Sequence, residues 1–182
     1  QVWAWGDNQS GQLGDGTTVN RAAPVLVPDL DGVIAIAAGH AHLLALKADR
    51  TVWAWGANAH GQLGDGTTTD RHTPTPVRLP DGRPLTNIAA VGAGVGVGCE
   101  HSLALTTDGR IWAWGDNQFG QLGDGTTTNR LNPVPLQELA NVTAVAGGSG
   151  YTVAIKDDQT VWAWGRNGLG QLGDGTTATL LA

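Results

Sequence analysis

The most insistent candidate for chemistry in this sequence is the string GQLGDGTT. It occurs four times, beginning at Gly11, Gly61, Gly120 and Gly170. A glycine-rich loop with a carboxylate could hold phosphate or calcium. However, a Walker-type loop ends in Gly-Lys-Ser/Thr, and an EF-hand loop needs further carboxylates and a distal Glu; neither pattern is present. Asp-Gly is also a favoured dipeptide of tight turns, because glycine accepts a positive φ. We therefore interpret the string as a structural turn.

The repetition itself argues against catalysis, because an active site needs unlike groups converging at one place. The repeated carboxylates are predicted to be structural: Asp15, Asp65, Asp124 and Asp174. In three of the four units an arginine follows six residues later: Arg21, Arg71 and Arg130. Each Asp–Arg couple is expected to form an ion pair within its unit, worth about 0–1 kcal/mol if exposed.

Other side chains that could do chemistry are scattered. His40 and His42 stand two apart and could chelate a metal, but no carboxylate or cysteine is adjacent in sequence. A catalytic triad can be written from Ser102, His101 and Asp108, yet no nucleophile elbow supports it. Most such histidines serve packing or hydrogen bonding. The sequence therefore predicts no catalytic residue, no metal site and no cofactor.

The composition narrows the class of protein. The 182 residues include 28 Gly, eight Trp and one cysteine, Cys99, with a net charge of −6. A nucleic-acid surface would show clustered basic charge, and none is present. No apolar run is long enough to span a membrane, and no targeting segment marks a compartment. Because there is no Met and the chain opens within a repeat, we expect a piece of a longer polypeptide.

The elements that must position these residues are strands. Trp3, Trp53, Trp112 and Trp162 recur at spacings of 50, 59 and 50 residues, which is typical of propeller or solenoid repeats. The extra residues of the longer unit can be placed in 79–87 or 92–98. VWAWG alternates with period two, so Val2 and Ala4 face one side and the tryptophans the other. Each unit reads as about four antiparallel strands, with no helical periodicity.

Four-stranded units repeated around an axis predict an all-β fold, a β-propeller. The chain is expected to form a single propeller segment over residues 1–182. Its repeats span about 1–50, 51–109, 110–159 and a partial 160–182, so that there are three complete repeats and the start of a fourth. The tryptophans are predicted to be structural and to pack against the next blade: Trp3, Trp5, Trp53, Trp55, Trp112, Trp114, Trp162 and Trp164.

The motif WGxNxxGQLGDGTT, followed by a Pro-Val segment and by AxGxxHxLAL, resembles the regulator of chromosome condensation repeat, in a bacterial-type version. The glycines and the pairs Gly39/His42 and Gly98/His101 fit the pattern, whereas Tyr151 replaces the histidine of the third unit. The family builds seven-bladed propellers, so the resemblance implies about half a ring. The ultraviolet-B receptor of this superfamily senses light with tryptophan just after the motif glycine. This chain has His40, Cys99 and Ser149 at those positions, so the resemblance does not imply photoreception.

The function favoured by this reading is a noncatalytic protein-interaction scaffold. Inside the constant loop, one variable pair changes between units, as a binding surface on a scaffold would. The candidate partner-binding side chains are Ser10, His60, Phe119 and Leu169, with Phe119 as the expected exposed anchor. The acidic balance favours a basic protein partner. Other blades of a parent protein, or self-association, are expected to cover the open faces of the half ring.

Two alternatives follow from the resemblance alone. One is guanine-nucleotide exchange on a small GTPase, which in the founding family member needs a β-wedge that has no counterpart of that size here. The other is a secreted inhibitor or binding module of the same propeller type. A third alternative, an enzyme in the propeller's central channel, needs unlike polar groups at the axis.

Overall fold

The fold is all-β. The computed structural model describes residues 1–181 and contains, within that range, thirteen strands and no helix. The strands are β1 Trp3–Gly6, β2 Arg21–Leu26, β3 Val33–Ala38, β4 His42–Lys47, β5 Val52–Gly56, β6 Arg71–Pro76, β7 Ile88–Ala93, β8 His101–Thr106, β9 Ile111–Gly115, β10 Arg130–Pro135, β11 Val142–Gly147, β12 Tyr151–Lys156 and β13 Val161–Gly165.

The strands form four antiparallel sheets, ordered β1-β2, β3-β4-β5-β6, β7-β8-β9-β10 and β11-β12-β13. The prediction of four-stranded propeller blades is confirmed, and over residues 1–181 the sheets do not close into a ring. The last sheet also receives an isolated bridge between Gly165 and Leu180, at the position where β10 meets Gly115 through Arg130.

Sheets and sequence repeats are offset by two strands. Each complete sheet takes its first two strands from the end of one repeat and its last two from the start of the next. In the last three sheets the VWAWG strand therefore lies third. In the second sheet, for example, β4 pairs with β5 so that Leu44 lies opposite Ala54. The predicted repeat boundaries describe the sequence period and fall inside the sheets.

The core lies between the sheets rather than within one of them. Trp55 of the second sheet packs with Val2 and Val27, which flank the strands of the first sheet. Trp114 of the third sheet packs with Ala54 of the second. The two faces of the VWAWG strand therefore pack differently, because the small residues of one sheet contact the tryptophan of the next sheet.

The longer unit contains both of the insertions that the sequence suggested. Residues 79–87 form an extra turn, tied by a bridge between Arg78 and Pro84. The second insertion follows Gly94, whose N–H donates to the carbonyl of His101 just as Gly39 donates to His42. The pairing of Gly98 with His101 in the repeat pattern is thus wrong, because residues 95–98 are inserted between the true turn glycine and the histidine.

In the part of the chain that the structure describes, no helix is long and apolar enough to cross a membrane.

Candidate protein-interaction face

The GQLGDGTT loop is held by one asparagine that precedes it. Asn8 Nδ2 donates to the carbonyls of Thr17 and Val19 at 3.1 Å each, and its Oδ1 accepts from the N–H of Leu13 at 2.9 Å. Fully buried, this side chain closes the loop upon itself. The same role falls to Asn58, Asn117 and Asn167. The repeated asparagine is therefore part of the framework.

The loop carboxylate is engaged in the same framework. Asp15 accepts from the N–H and hydroxyl of Thr17, and Arg21 Nη2 lies 2.7 Å from its Oδ2. Burial would raise the pKa of Asp15, but the hydrogen bonds from Thr17, Arg21 and Asn8 outweigh it and lower that pKa to about 2. Equivalent 2.7 Å ion pairs join Asp65 to Arg71 and Asp124 to Arg130.

The fourth loop lacks this ion pair because Leu180 stands where the arginine would be. Asp174 accepts hydrogen bonds from Thr176 and Asn167.

In three of the four pairs, the second tryptophan contacts the loop of the preceding repeat. Trp55 Nε1 donates to the carbonyl of Gln12 at 2.9 Å. A Cβ on Gly14 would lie 2.8 Å from that indole nitrogen, so the glycine allows the ring to approach. Trp114 and Trp164 bind the carbonyls of Gln62 and Gln121 in the same way.

The predicted role of the tryptophans needs two corrections. The buried rings contact the preceding sheet and not the next one. Only the second ring of a pair is buried in this way, as for Trp55, Trp114 and Trp164. Trp53 and Trp112 are half-buried, while Trp3, Trp5 and Trp162 are exposed, Trp5 at 62%. Trp5 is exposed because no sheet precedes β1 in the structure.

The buried histidines connect one sheet to the next. His42 Nε2 lies 3.0 Å from Ser102 Oγ, and Ser102 Oγ donates to the carbonyl of Gln62 at 2.7 Å. Because the serine's single proton is used on that carbonyl, His42 Nε2 must be the donor of the pair. All three side chains are inaccessible. Ser102 is therefore a structural hydroxyl, and Asp108 lies in an exposed turn beyond the other end of β8.

The same arrangement recurs one sheet further along. His101 Nε2 lies 2.9 Å from Thr152 Oγ1, which donates to the carbonyl of Gln121 at 2.7 Å. Burial lowers the pKa of His101 to about 4 and that of His42 to about 3, the latter with a smaller contribution from the charge of His101. Both imidazoles are thus neutral structural groups at ordinary pH.

Within residues 1–181, no three His, Cys, Asp or Glu side chains come together in a way that could hold a metal ion. His40 and His42 do not act as a pair, because His42 is enclosed between sheets while His40 precedes β4 in the turn. Cys99 is a buried free thiol whose pKa is raised by burial and by the neighbouring Asp116.

A model of the RCC1-like domain matches residues 1–181. The chain belongs to the RCC1-like domain family. The chain is 32% identical over 152 residues to human E3 ubiquitin-protein ligase HERC2, covering 81% of this chain and 3% of HERC2. It is also 32% identical over 153 residues to the Arabidopsis thaliana ultraviolet-B receptor UVR8, covering 81% of this chain and 33% of the receptor.

Solved structures of RCC1 proteins show the same architecture. Yeast RCC1 (Prp20) bound to Kap60 superposes with a TM-score of 0.83 at 25% identity, covering all of this chain and 43% of that one. Prp20p from Saccharomyces cerevisiae, described together with its binding to Gsp1p and histones, gives 0.82 at 26% identity, covering all of this chain and 45% of that one. The chain spans less than half the length of these relatives.

In this RCC1-like chain, two of the four predicted partner-binding residues, His60 and Phe119, contact residues of a neighbouring sheet or its loop. Phe119 is half-buried beneath Arg166, whose guanidinium carbon lies 5.3 Å from the ring centroid. The expectation of an exposed Phe119 anchor is therefore wrong. His60 is half-buried, 3.3 Å from Asn129 Nδ2 and 4.0 Å from Asp116 Oδ1.

The two other predicted partner-binding residues, Ser10 and Leu169, differ in their exposure to solvent. Ser10 is half-buried and its N–H donates to the side chain of Gln12. Leu169, by contrast, is 88% exposed, because no further sheet follows its loop in the structure.

Sequence reasoning missed the apolar tip of the inserted loop. Val95 and Val97 are 57% and 78% exposed. The loop is nevertheless anchored: Gln118 Nε2 donates to the carbonyl of Gly98, and Gly96 lies so close to Ser149 that a Cβ there would collide with its side chain. The sequence did carry an indication of this apolar tip. In GVGVG, valines alternate with glycines, and a loop needs valine neither to form its turn nor to be soluble.

Proposed function

We propose that this chain is a noncatalytic protein-interaction module whose binding face includes the inserted loop of residues 95–98. The observation that carries the proposal is the exposure of Val95 and Val97 on a loop held from both sides by the framework. Preordered apolar side chains bind with less loss of conformational entropy than mobile ones.

The proposal of a noncatalytic interaction module has support from solved structures of relatives and from the contacts of the hydroxyl and imidazole side chains of this chain. The Prp20 structures are described as a Kap60 complex and with binding to Gsp1p and histones, so propellers of this type present surfaces to other proteins. In this chain the hydroxyl and imidazoles that could do chemistry are used between sheets, as for Ser102 and His42. The net charge of −6 favours a basic partner.

The test is a capture experiment with the purified chain, followed by direct titration of any protein retained. Val97→Asp places a charge at the most exposed position of the loop and should weaken binding of a genuine partner tenfold or more. Val19→Asp is the matched control, because Val19 is a similarly exposed valine in another loop. Equal binding by the wild-type chain and both variants would remove the inserted loop from the interface.

Nucleotide exchange on a small GTPase is a second candidate, supported by the 25–26% identity to RCC1 proteins. Release of a fluorescent guanine nucleotide from the GTPase, with and without the chain, separates exchange from simple binding. Acceleration of release would replace the scaffold proposal. A secreted inhibitor would instead bind a target enzyme and reduce its turnover. The ligase activity in the name of HERC2 is not assigned to this chain, which covers 3% of that protein.

A further inference from the structure

Three equivalent tryptophans on the sheets have unequal surroundings. Trp53, Trp112 and Trp162 lie opposite Ala45, Ala104 and Ala154 in their sheets, so their backbone positions match. Lys47 Nζ lies 5.1 Å from the ring centroid of Trp53, and Lys156 Nζ lies 5.7 Å from that of Trp162. A cation placed over an indole face is attracted by the ring quadrupole. Two of the three rings are thus covered by a lysine of their own chain.

Trp112 lacks both the covering lysine and the threonine acceptor, because two residues of its repeat differ from those of the other units. Thr106 stands where Lys47 and Lys156 stand, and Arg110 stands where a threonine precedes the other strands. Trp53 Nε1 donates to Thr51 Oγ1 at 3.3 Å, and Trp162 Nε1 donates to Thr160 Oγ1 at 3.1 Å. Over residues 1–181, no cation covers Trp112 and no hydrogen-bond acceptor meets its indole N–H.

The side chains at these two positions, Thr106 and Arg110, form hydrogen bonds and an ion pair with Asp108 rather than with the Trp112 ring. The Thr106 hydroxyl donates to Asp108 Oδ1, and it accepts from the N–H of Arg110 at 2.9 Å. The guanidinium of Arg110 is directed to Asp108, with Nε 3.5 Å from Oδ2. The turn after β8 therefore folds on itself and leaves the half-buried Trp112 ring without a polar partner among residues 1–181.

An open cleft of about 520 Å³ lies beside this ring. One wall is the extra turn of residues 79–87, which gives Leu79, Leu85 and Asn87, and the other is the turn at Thr106, Asp108 and Arg110. The Asp108 carboxylate is 66% exposed at the mouth. An aromatic face, an unused N–H, an apolar wall and a carboxylate thus converge at one place, beside the extra turn.

We propose that this cleft binds a basic side chain, a lysine ammonium or an arginine guanidinium, of a partner protein. The face of Trp112 supplies the cation–π contact that Lys47 and Lys156 make within the chain, and Asp108 exchanges its exposed pairing with Arg110 for the incoming cation. The net charge of −6 attracts such a partner. The cleft lies at the opposite end of β8 from the inserted valine loop, so it stands independently of the interface proposed there.

The indole N–H resonances of the eight tryptophans provide the test. The probe is Nα-acetyl-lysine methylamide, and the neutral control is the same molecule acetylated on Nε. Titration of the ¹⁵N-labelled chain should shift the Trp112 signal saturably, while Trp53 and Trp162 stay in place. Trp112→Phe assigns the resonance. Asp108→Asn, which alters no packed residue, should weaken the lysine probe at least about threefold.

Two substitutions convert the site in opposite directions. Thr106→Lys rebuilds the covered arrangement of Trp53 and should abolish the response of Trp112. Lys47→Thr uncovers Trp53 and should make its indole respond to the lysine probe. The proposal is overturned if Trp112 does not shift, if the neutral probe shifts it equally, or if Asp108→Asn leaves the affinity unchanged. Unchanged positions of the remaining indole signals verify that each variant is folded.

Discussion

The interface between the sheets β3–β6 and β7–β10 and the one between β7–β10 and β11–β13 are alike where they are buried. In both, an indole N–H donates to a glutamine carbonyl, at 2.9 Å for Trp114 and 3.0 Å for Trp164. In both, a buried histidine, His42 or His101, meets a hydroxyl of the following sheet.

The same two interfaces differ in the contacts made beside these shared ones. In the first, Gln62 Nε2 donates across the interface to Glu100 at 2.8 Å, and burial raises the pKa of that carboxyl. In the second, Gln121 Nε2 donates to Asp116 of its own loop, and the crossing contact is Arg166 over Phe119. The shared tryptophan and histidine contacts, here called the buried seam, therefore define how the sheets join. Single-residue changes beside them, including the half-buried contact of Phe119 with Arg166 at the rim, distinguish one interface from the other.

The largest expected effect on the buried seam is that of Gly123→Ala, which we compare with Gly125→Ala. Both glycines have a positive φ, near +70°, in the same loop. A Cβ on Gly123 would lie 2.6 Å from Trp164 Nε1, whereas a Cβ on Gly125 would meet nothing within 4 Å. Gly125→Ala should lower the free energy of unfolding by about 1 kcal/mol through backbone strain alone. Gly123→Ala should lower it by about 2–4 kcal/mol, because displacement of the indole is added.

Urea unfolding followed by tryptophan fluorescence measures both variants. Equal losses for the two would mean that the indole seat contributes nothing beyond the turn conformation, and the buried seam would no longer set the interface apart from the rim.

Acid should weaken the seam before it affects the loop carboxylates. His42 and His101 have folded-state pKa values of about 3 and about 4, below the ordinary 6.5. The unfolded chain therefore binds more protons between pH 6.5 and 4, and stability falls as the pH is lowered through that window. The expected slope is roughly 1.4 kcal/mol per pH unit for each histidine.

His101→Gln, which keeps a polar donor near Thr152, should reduce the slope by about half. The Asp15 carboxylate behaves as a later acid-sensitive group, since its pKa of about 2 makes its stabilisation disappear mainly below pH 4. Denaturation midpoints measured at pH 7, 6, 5 and 4 are the readout. A flat profile from pH 7 to 5 in the wild-type chain would contradict the prediction.

The loop ion pair is expected to have a smaller effect. Arg71 lies 2.7 Å from Asp65, with about a third of its side chain exposed. Arg71→Ala should reduce the free energy of unfolding by about 1 kcal/mol, and less at high salt. The complementary variant Leu180→Arg supplies the missing partner of Asp174 and should stabilise the last loop. No change in either variant would leave the ion pair without an energetic role.

The architecture was predictable from the sequence because it repeats. Period-two alternation in VWAWG, the Asp-Gly turns and the 50-residue spacing each reflect local geometry that every unit obeys. Sequence alone did not reveal the direction of the contacts, since alternation separates two faces without saying which neighbour each one meets. Trp55 thus turned out to be seated on the preceding sheet.

The candidate sites were less predictable, because they depend on differences between units that become meaningful only after superposition. Phe119 looked like an exposed anchor because its letter varies, yet its variation is matched by Arg166 across the interface. Thr106 and Arg110 looked like ordinary strand-end residues. Their effect on Trp112 becomes visible only when the lysines and threonines of the other units are placed beside them.

The smallest effect should come from the rim contact between Phe119 and Arg166. The guanidinium lies 5.3 Å from the ring centroid, and both side chains are half-buried, so the interaction is partly solvated. A double-mutant cycle with Phe119→Ala and Arg166→Ala should give a coupling of about 0.5–1 kcal/mol in the free energy of unfolding. Arg166→Ala alone should change stability by no more than that, in contrast with Gly123→Ala. A coupling near zero would make the two side chains mere neighbours, and rim differences would then discriminate between blades by shape rather than by attraction.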